Sequence, residues 1–199
     1  EDCTIEHSEE LVNRLEEENV PLFLSGHLHV QHYMRNEEDR GIYEIVTSSL
    51  STPPCQYGVL EYRDDESFSY HTQQVDMEKW ARKHKSTDEN LLNFNTYAPA
   101  ALRTIFYNQS YDAMKDSEEE ETGDLFVKLT QRQKEQMSEV YAQLNAACYG
   151  GKAYEVVKEA TTTPAYKMWQ EYCYPIVLFE YLEYIVDDAV KDYNYLEVN

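Results

Sequence analysis

The chain has 199 residues, with 17 Lys and Arg against 38 Asp and Glu, a formal net charge of −21 and 42% hydrophobic residues. That composition supports a globular core, while the unrelieved negative charge excludes nucleic acid and anionic lipid surfaces as expected partners. No apolar run approaches the roughly eighteen residues of a membrane segment, and Glu1, Asp2 and Cys3 lack the basic and apolar regions of a secretory signal, which leaves the compartment open.

In chain order, Ser8 followed by Glu9 and Glu10 predicts an N-cap with an acidic first turn. Leu11, Val12 and Leu15 give that helix an apolar side, and it is expected to end near Asn19. Val20-Pro21-Leu22-Phe23-Leu24, bounded by Ser25 and Gly26, reads as a short strand buried on both faces. The β-branched and aromatic runs 42–47, 57–62 and 68–75 read as three antiparallel strands, with a turn-rich connection over 48–56 and a hairpin tip at Arg63 to Glu66. Four such strands make one twisted layer with an uncovered face.

From Asp76 the period becomes helical. A helix is expected over Tyr97 to Met114, then an acidic linker from Asp116 to Asp124. Thr130-Gln131-Arg132-Gln133 fits a capping box, and Met137, Val140, Tyr141, Leu144 and Cys148 follow at helical spacing until Gly150-Gly151. Thr163-Pro164 predicts another helix start, leading through Tyr166, Trp169 and Cys173 to a break at Pro175. Leu178, Leu182, Ile185 and Ala189 line a last helix. The fold class is therefore α+β, with residues 1–75 forming helix, strand, loop and about three strands, and residues 76–199 forming a helical region.

Two further features bear on function. Thirteen of the 18 tyrosines follow Asp76, which fits either half-buried helix faces or a binding surface. Cys3, Cys55, Cys148 and Cys173 lie far apart without CxxC spacing and read as free thiols.

The residues that carry chemistry are His27 and His29, which flank Leu28 in a loop led by Gly26 directly after the predicted strand. In an extended loop, alternation points both imidazoles to one side, and Gly26 permits a tight turn or a close approach to an ion. His32 follows as a residue that steadies the ligands or faces substrate, whereas His7, His71 and His84 read as surface groups. Two imidazoles fall short of the roughly three protein ligands that a hydrolytic metal takes. A mononuclear site of His27, His29 and His32 with an acidic residue is one way to complete the set.

The stretch Phe23-Leu24-Ser25-Gly26-His27-Leu28-His29-Val30-Gln31-His32, followed by Ile42 to Thr47 and Ser48-Ser49-Leu50-Ser51, resembles the end of the calcineurin-like metallophosphoesterase domain. The resemblance extends over about Glu6 to Val75. More loosely, Leu129-Thr130, Tyr149-Gly150-Gly151, Trp169 and Asp187 to Asn194 resemble the helical C-terminal extension of bacterial members. It implies the last part of a β-sandwich layer followed by that extension, and a dinuclear centre of two divalent ions (Mn, Fe, Zn or Ni) with His27 on one ion and His29 on the other. Such a centre activates a hydroxide for attack on a small phosphoester. The family's earlier aspartate, asparagine and histidine motifs are absent from the 26 residues before His27. The chain is accordingly expected to be a hydrolase fragment, inactive without the missing N-terminal segment of the same domain. The competing expectation is a non-catalytic, Tyr-rich helical interaction module.

Overall fold

The computed structural model describes residues 6–35, 41–116, 129–172 and 177–199. Residues 117–124 of the expected acidic linker, Cys3, Cys173 and the expected break at Pro175 lie outside the described residues. Two compact units account for the rest: residues 1–75 together with 193–199, and residues 76–192. The architecture is α+β, as expected, but the last seven residues leave the helical region to which the sequence reading assigns them and join the first unit as a strand.

In the first unit, α1 (Ser8–Glu17) starts one residue earlier than a Ser8 cap implies. The N-cap is His7, in a left-handed conformation, and it makes no side-chain cap hydrogen bond. The helix ends as Asn19 turns left-handed (φ 55°) and the Val20 amide reaches back to the Leu15 carbonyl at 2.9 Å, a stop that asparagine tolerates. Strand β1 (Leu22–Ser25) pairs in parallel with β3 (Tyr43–Val46), and β2 (His32–Arg35) pairs antiparallel on the other side of β3. The order is β1-β3-β2. Strand β1 is not buried on both faces, because it is an edge strand and Leu24 is 54% exposed. The full burial falls on the central strand, where Ile45 is inaccessible.

Strands β4 (Gln56–Tyr62) and β5 (Phe68–Gln74) form the expected hairpin, with the tip closed by hydrogen bonds between Arg63 and Ser67 and a left-handed Glu66. They belong to a second sheet, β4-β5-β6, completed by β6 (Tyr195–Val198). One layer of four strands is thus replaced by two sheets of three. Ile45 of the first sheet clusters with Phe68, Tyr70 and Leu196 of the second, which covers the apolar face that a single layer leaves open.

Gly58 is required by this packing. An alanine Cβ there would stand 2.5 Å from Tyr70 Cε2 and 2.8 Å from the Tyr70 hydroxyl. Tyr70 is 2% exposed and donates its hydroxyl hydrogen to Gln31 Oε1 at 3.1 Å, so the ring has no open space into which to swing. Gly58→Ala is expected to cost about 1–3 kcal/mol by overpacking, read as a lower urea midpoint. A loss below roughly 0.5 kcal/mol, the size of an ordinary surface change, would show that the ring yields freely.

The second unit is helical. Its elements are α2 (Met77–Lys83), α3 (Glu89–Leu92), α4 (Phe94–Asp116), α5 (Gln131–Tyr149), a 3-10 turn (Ala153–Glu155), α6 (Val157–Ala160), α7 (Pro164–Tyr172) and α8 (Val177–Asp188). The capping box at the start of α5 forms with both halves present, and the helix stops where Gly150 caps it and Gly151 turns left-handed (φ 69°). The apolar spacing in α5 faces inward: Met137, Val140, Tyr141 and Leu144 are buried against Trp169 and Phe106. Thr163 Oγ1 accepts from the Tyr166 amide at 3.2 Å and caps α7.

The tyrosines divide between these roles. Tyr141 and Tyr166 are core residues, whereas Tyr181 and Tyr184 on α8 are exposed. Cys55 and Cys148 are free thiols. Burial, with the Asp188 charge as a lesser cause, pushes the Cys148 thiol up to about 12, so it packs as a small apolar group and not as a nucleophile.

Candidate functional site

Parallel pairing of β1 with β3 brings their carboxyl ends side by side, with Ser25 opposite Val46 and the Thr47 amide bonded to the Ser25 carbonyl at 3.2 Å. Two loops leave this edge. One is Gly26 to Gln31, with His27 and His29, and the other is Thr47 to Cys55. In sheets with parallel strands, loops at the carboxyl ends are the usual places for ligands.

The first loop is not extended. His27 (φ 91°) and His29 (φ 59°) are both left-handed, so the alternation argument for two imidazoles on one side does not hold. The glycine is also not the strained residue: Gly26 has open space where a Cβ would stand, and the histidines themselves carry the positive φ angles. Left-handed backbone at a non-glycine residue costs about 1–2 kcal/mol, and such strain gathers at functional sites. Both imidazoles are exposed, as is Leu28 between them.

The two loops are coupled. His29 Nδ1 lies 3.1 Å from Thr52 Oγ1, which orients the ring. In the second loop, Ser49 and Ser51 share a hydroxyl contact at 2.8 Å, and the Ser51 amide donates to Ser49 Oγ at 3.1 Å. Ser48 is buried, and its hydroxyl has no hydrogen-bond partner in the described structure; a ligand oxygen or a water would satisfy such a group.

His32 takes a different course from the other two. It opens β2, is half-buried, and packs against the Tyr193 ring with centroids 4.2 Å apart and the ring planes tilted by 37°. The remaining histidines lie elsewhere. His7 is exposed near Glu10, and His84 stacks on Trp80 at 4.5 Å, while His71 is half-buried on β5 beside Gln73.

Beneath the loop lies Gln31, 1% exposed, a residue the sequence gives no reason to select. Its Nε2 donates to the Tyr193 carbonyl at 3.0 Å, and its Oε1 accepts from the Tyr70 hydroxyl and faces the Ser48 amide at 3.5 Å. These partners lie up to 162 residues away, so no local pattern signals them. As a metal site the donor set is short. Among the described residues no group of three His, Cys, Asp or Glu side chains is placed to hold an ion, and His27 with His29 do not by themselves match the roughly three protein ligands of a catalytic metal.

Residues 76–192, more than half of the chain and coextensive with the helical unit, match the family described as the C-terminal domain of cyclic nucleotide phosphodiesterase. The chain belongs to this family. No curated protein matches it. Membership in this domain family overturns the resemblance to calcineurin-like metallophosphoesterases and the metallophosphoesterase-fragment reading that follows from it, and nothing favours the Tyr-rich module in its place. The resemblance draws its specific part from Glu6 to Val75, outside the matched residues, and only loosely from the helical unit. A phosphoester substrate fits a phosphodiesterase domain, and no helix among the described residues is long and apolar enough to cross a membrane.

Proposed function

We propose that the chain serves the hydrolysis of a cyclic nucleotide, with the loop bearing His27 and His29, and His32 at the start of β2, as the phosphate-facing part of its first unit. The family match over residues 76–192 carries this reading. The reaction opens a cyclic phosphodiester: a water oxygen bonds to phosphorus, one ribose oxygen–phosphorus bond breaks, and the proton lost by water is balanced by the one gained at the leaving oxygen. An imidazole held in place can accept the first proton or supply the second near neutral pH. His29, with its ring oriented by Thr52, is the residue proposed for that transfer. His27 and His32 are proposed to bind phosphoryl oxygen. If donors from outside the described residues completed a metal site, His27 and His29 would be the ligands available to it.

The test uses the full chain, incubated with 3′,5′- and 2′,3′-cyclic nucleotides, with and without added divalent ions, and followed by chromatography. Formation of the nucleoside monophosphate is expected. Absence of that product under every condition, with an open-chain phosphodiester cleaved by the same preparation, would overturn the assignment of substrate.

A further inference from the structure

We propose that Tyr193 and Asn194, the two residues that follow the helical family domain, are positioning residues that clamp both loops of the candidate site. Antiparallel pairing of β5 with β6 means that the helical domain leaves the sheet after Val75 and the chain re-enters it at Tyr193, on neighbouring strands. The two residues at the re-entry then hold one loop each.

Tyr193 holds the histidine loop twice. Its carbonyl accepts from Gln31 Nε2 at 3.0 Å, between His29 and His32 in sequence. Its ring, 4% exposed, lies 4.2 Å from the His32 ring and meets Tyr33 edge-on at 5.4 Å. Asn194 holds the end of the other loop. Its Oδ1 accepts from Gln56 Nε2 at 3.0 Å and from Thr72 Oγ1 at 2.6 Å, and its carbonyl accepts from the Thr72 amide at 3.1 Å. Gln56 directly follows Cys55, where the Thr47 to Cys55 loop ends, and is 3% exposed. A buried amide that loses its partner retains its full desolvation cost, so these contacts define one arrangement of the loops and disfavour others. The clamp itself is a statement about the fold of the first unit; only its consequence for turnover rests on the hydrolysis proposed above.

The experiment compares wild type with Tyr193→Ala, Tyr193→Leu, Tyr193→Phe and Asn194→Ala in the full chain, using histidine-selective NMR and amide hydrogen exchange. In Tyr193→Ala and Tyr193→Leu the His32 ring protons should lose the ring-current shift that the neighbouring tyrosine imposes, and amides of Leu28 to Gln31 should exchange about tenfold faster, because the ring's packing on His32 and Tyr33 is lost while the Tyr193 carbonyl still accepts from Gln31. Tyr193→Phe should restore both. In Asn194→Ala the faster exchange should fall instead on Thr52 to Gln56. Tyr193→Leu keeps apolar volume in the sheet, so it decides the matter if the alanine variant fails to fold. Wild-type His32 shifts and Leu28 to Gln31 exchange in the leucine variant would overturn the clamp. The same variants should lower kcat with little change in KM. An altered loop with kcat unchanged would uphold the clamp and count against the loop's hydrolytic role.

Discussion

Replacing Trp169 by alanine is expected to remove about 4 kcal/mol from the stability of the helical unit, within the range for buried Phe or Trp to Ala changes. Trp169 has no exposed surface, and its ring lies 5.7 Å from that of Tyr141 at the meeting of α5 and α7. Its indole Nε1 also donates to the Met137 carbonyl at 2.9 Å, a tie between two helices that alanine cannot make. Domains are typically stable by only about 5–15 kcal/mol, so the loss takes between roughly a quarter and four fifths of the margin. Trp169→Phe keeps most of the volume and sacrifices the hydrogen bond, and should cost about half as much. Urea unfolding followed by far-UV circular dichroism measures both variants. A loss below about 1 kcal/mol for Trp169→Ala, the centre of ordinary single-residue effects, would mean that α5 and α7 do not pack as described.

On the hydrolysis proposed above, His29→Asn should lower the rate of cyclic nucleotide opening by roughly 10²–10⁴-fold, the usual worth of a positioned acid–base group. Asparagine is the informative substitution because His29 sits at φ 59°. Asparagine accepts left-handed backbone with little strain, whereas alanine keeps the roughly 1–2 kcal/mol that the histidine bears without the ring contact to Thr52 that helps to hold it, and so confounds chemistry with loop distortion. Thr52→Val, which removes the group 3.1 Å from His29 Nδ1, should reproduce a smaller part of the loss, because the imidazole is kept but left to rotate. His27→Asn should mainly raise KM if His27 binds phosphoryl oxygen without moving a proton. Wild-type turnover in His29→Asn would remove His29 from the reaction, whatever the role of its neighbours.

Local features were legible wherever the determining contacts are near in sequence. The Thr130 capping box, the Gly150-Gly151 stop, the Thr163 cap and the hairpin tip at 63–66 all form as the residues predict, because each is closed by hydrogen bonds within a few positions. The inward face of α5 was likewise readable, since helical spacing alone places Met137, Val140, Tyr141 and Leu144 on one side. Tertiary structure decided the rest. Strand β2 has four residues and directly follows the histidine loop, and β6 has four beside a helical region, so neither has a period long enough to recognise. The division of the strands into two sheets depends on which partners cover Ile45, Phe68 and Tyr70, a choice made by packing and not by local propensity. At the site, sequence identified His27, His29 and His32 as the residues able to carry chemistry. Their backbone conformation, the Thr52 contact and the Gln31–Tyr193 tie come from chain segments brought together only by folding, and a buried amide that finds its partner 162 residues away leaves no trace in the residues beside it.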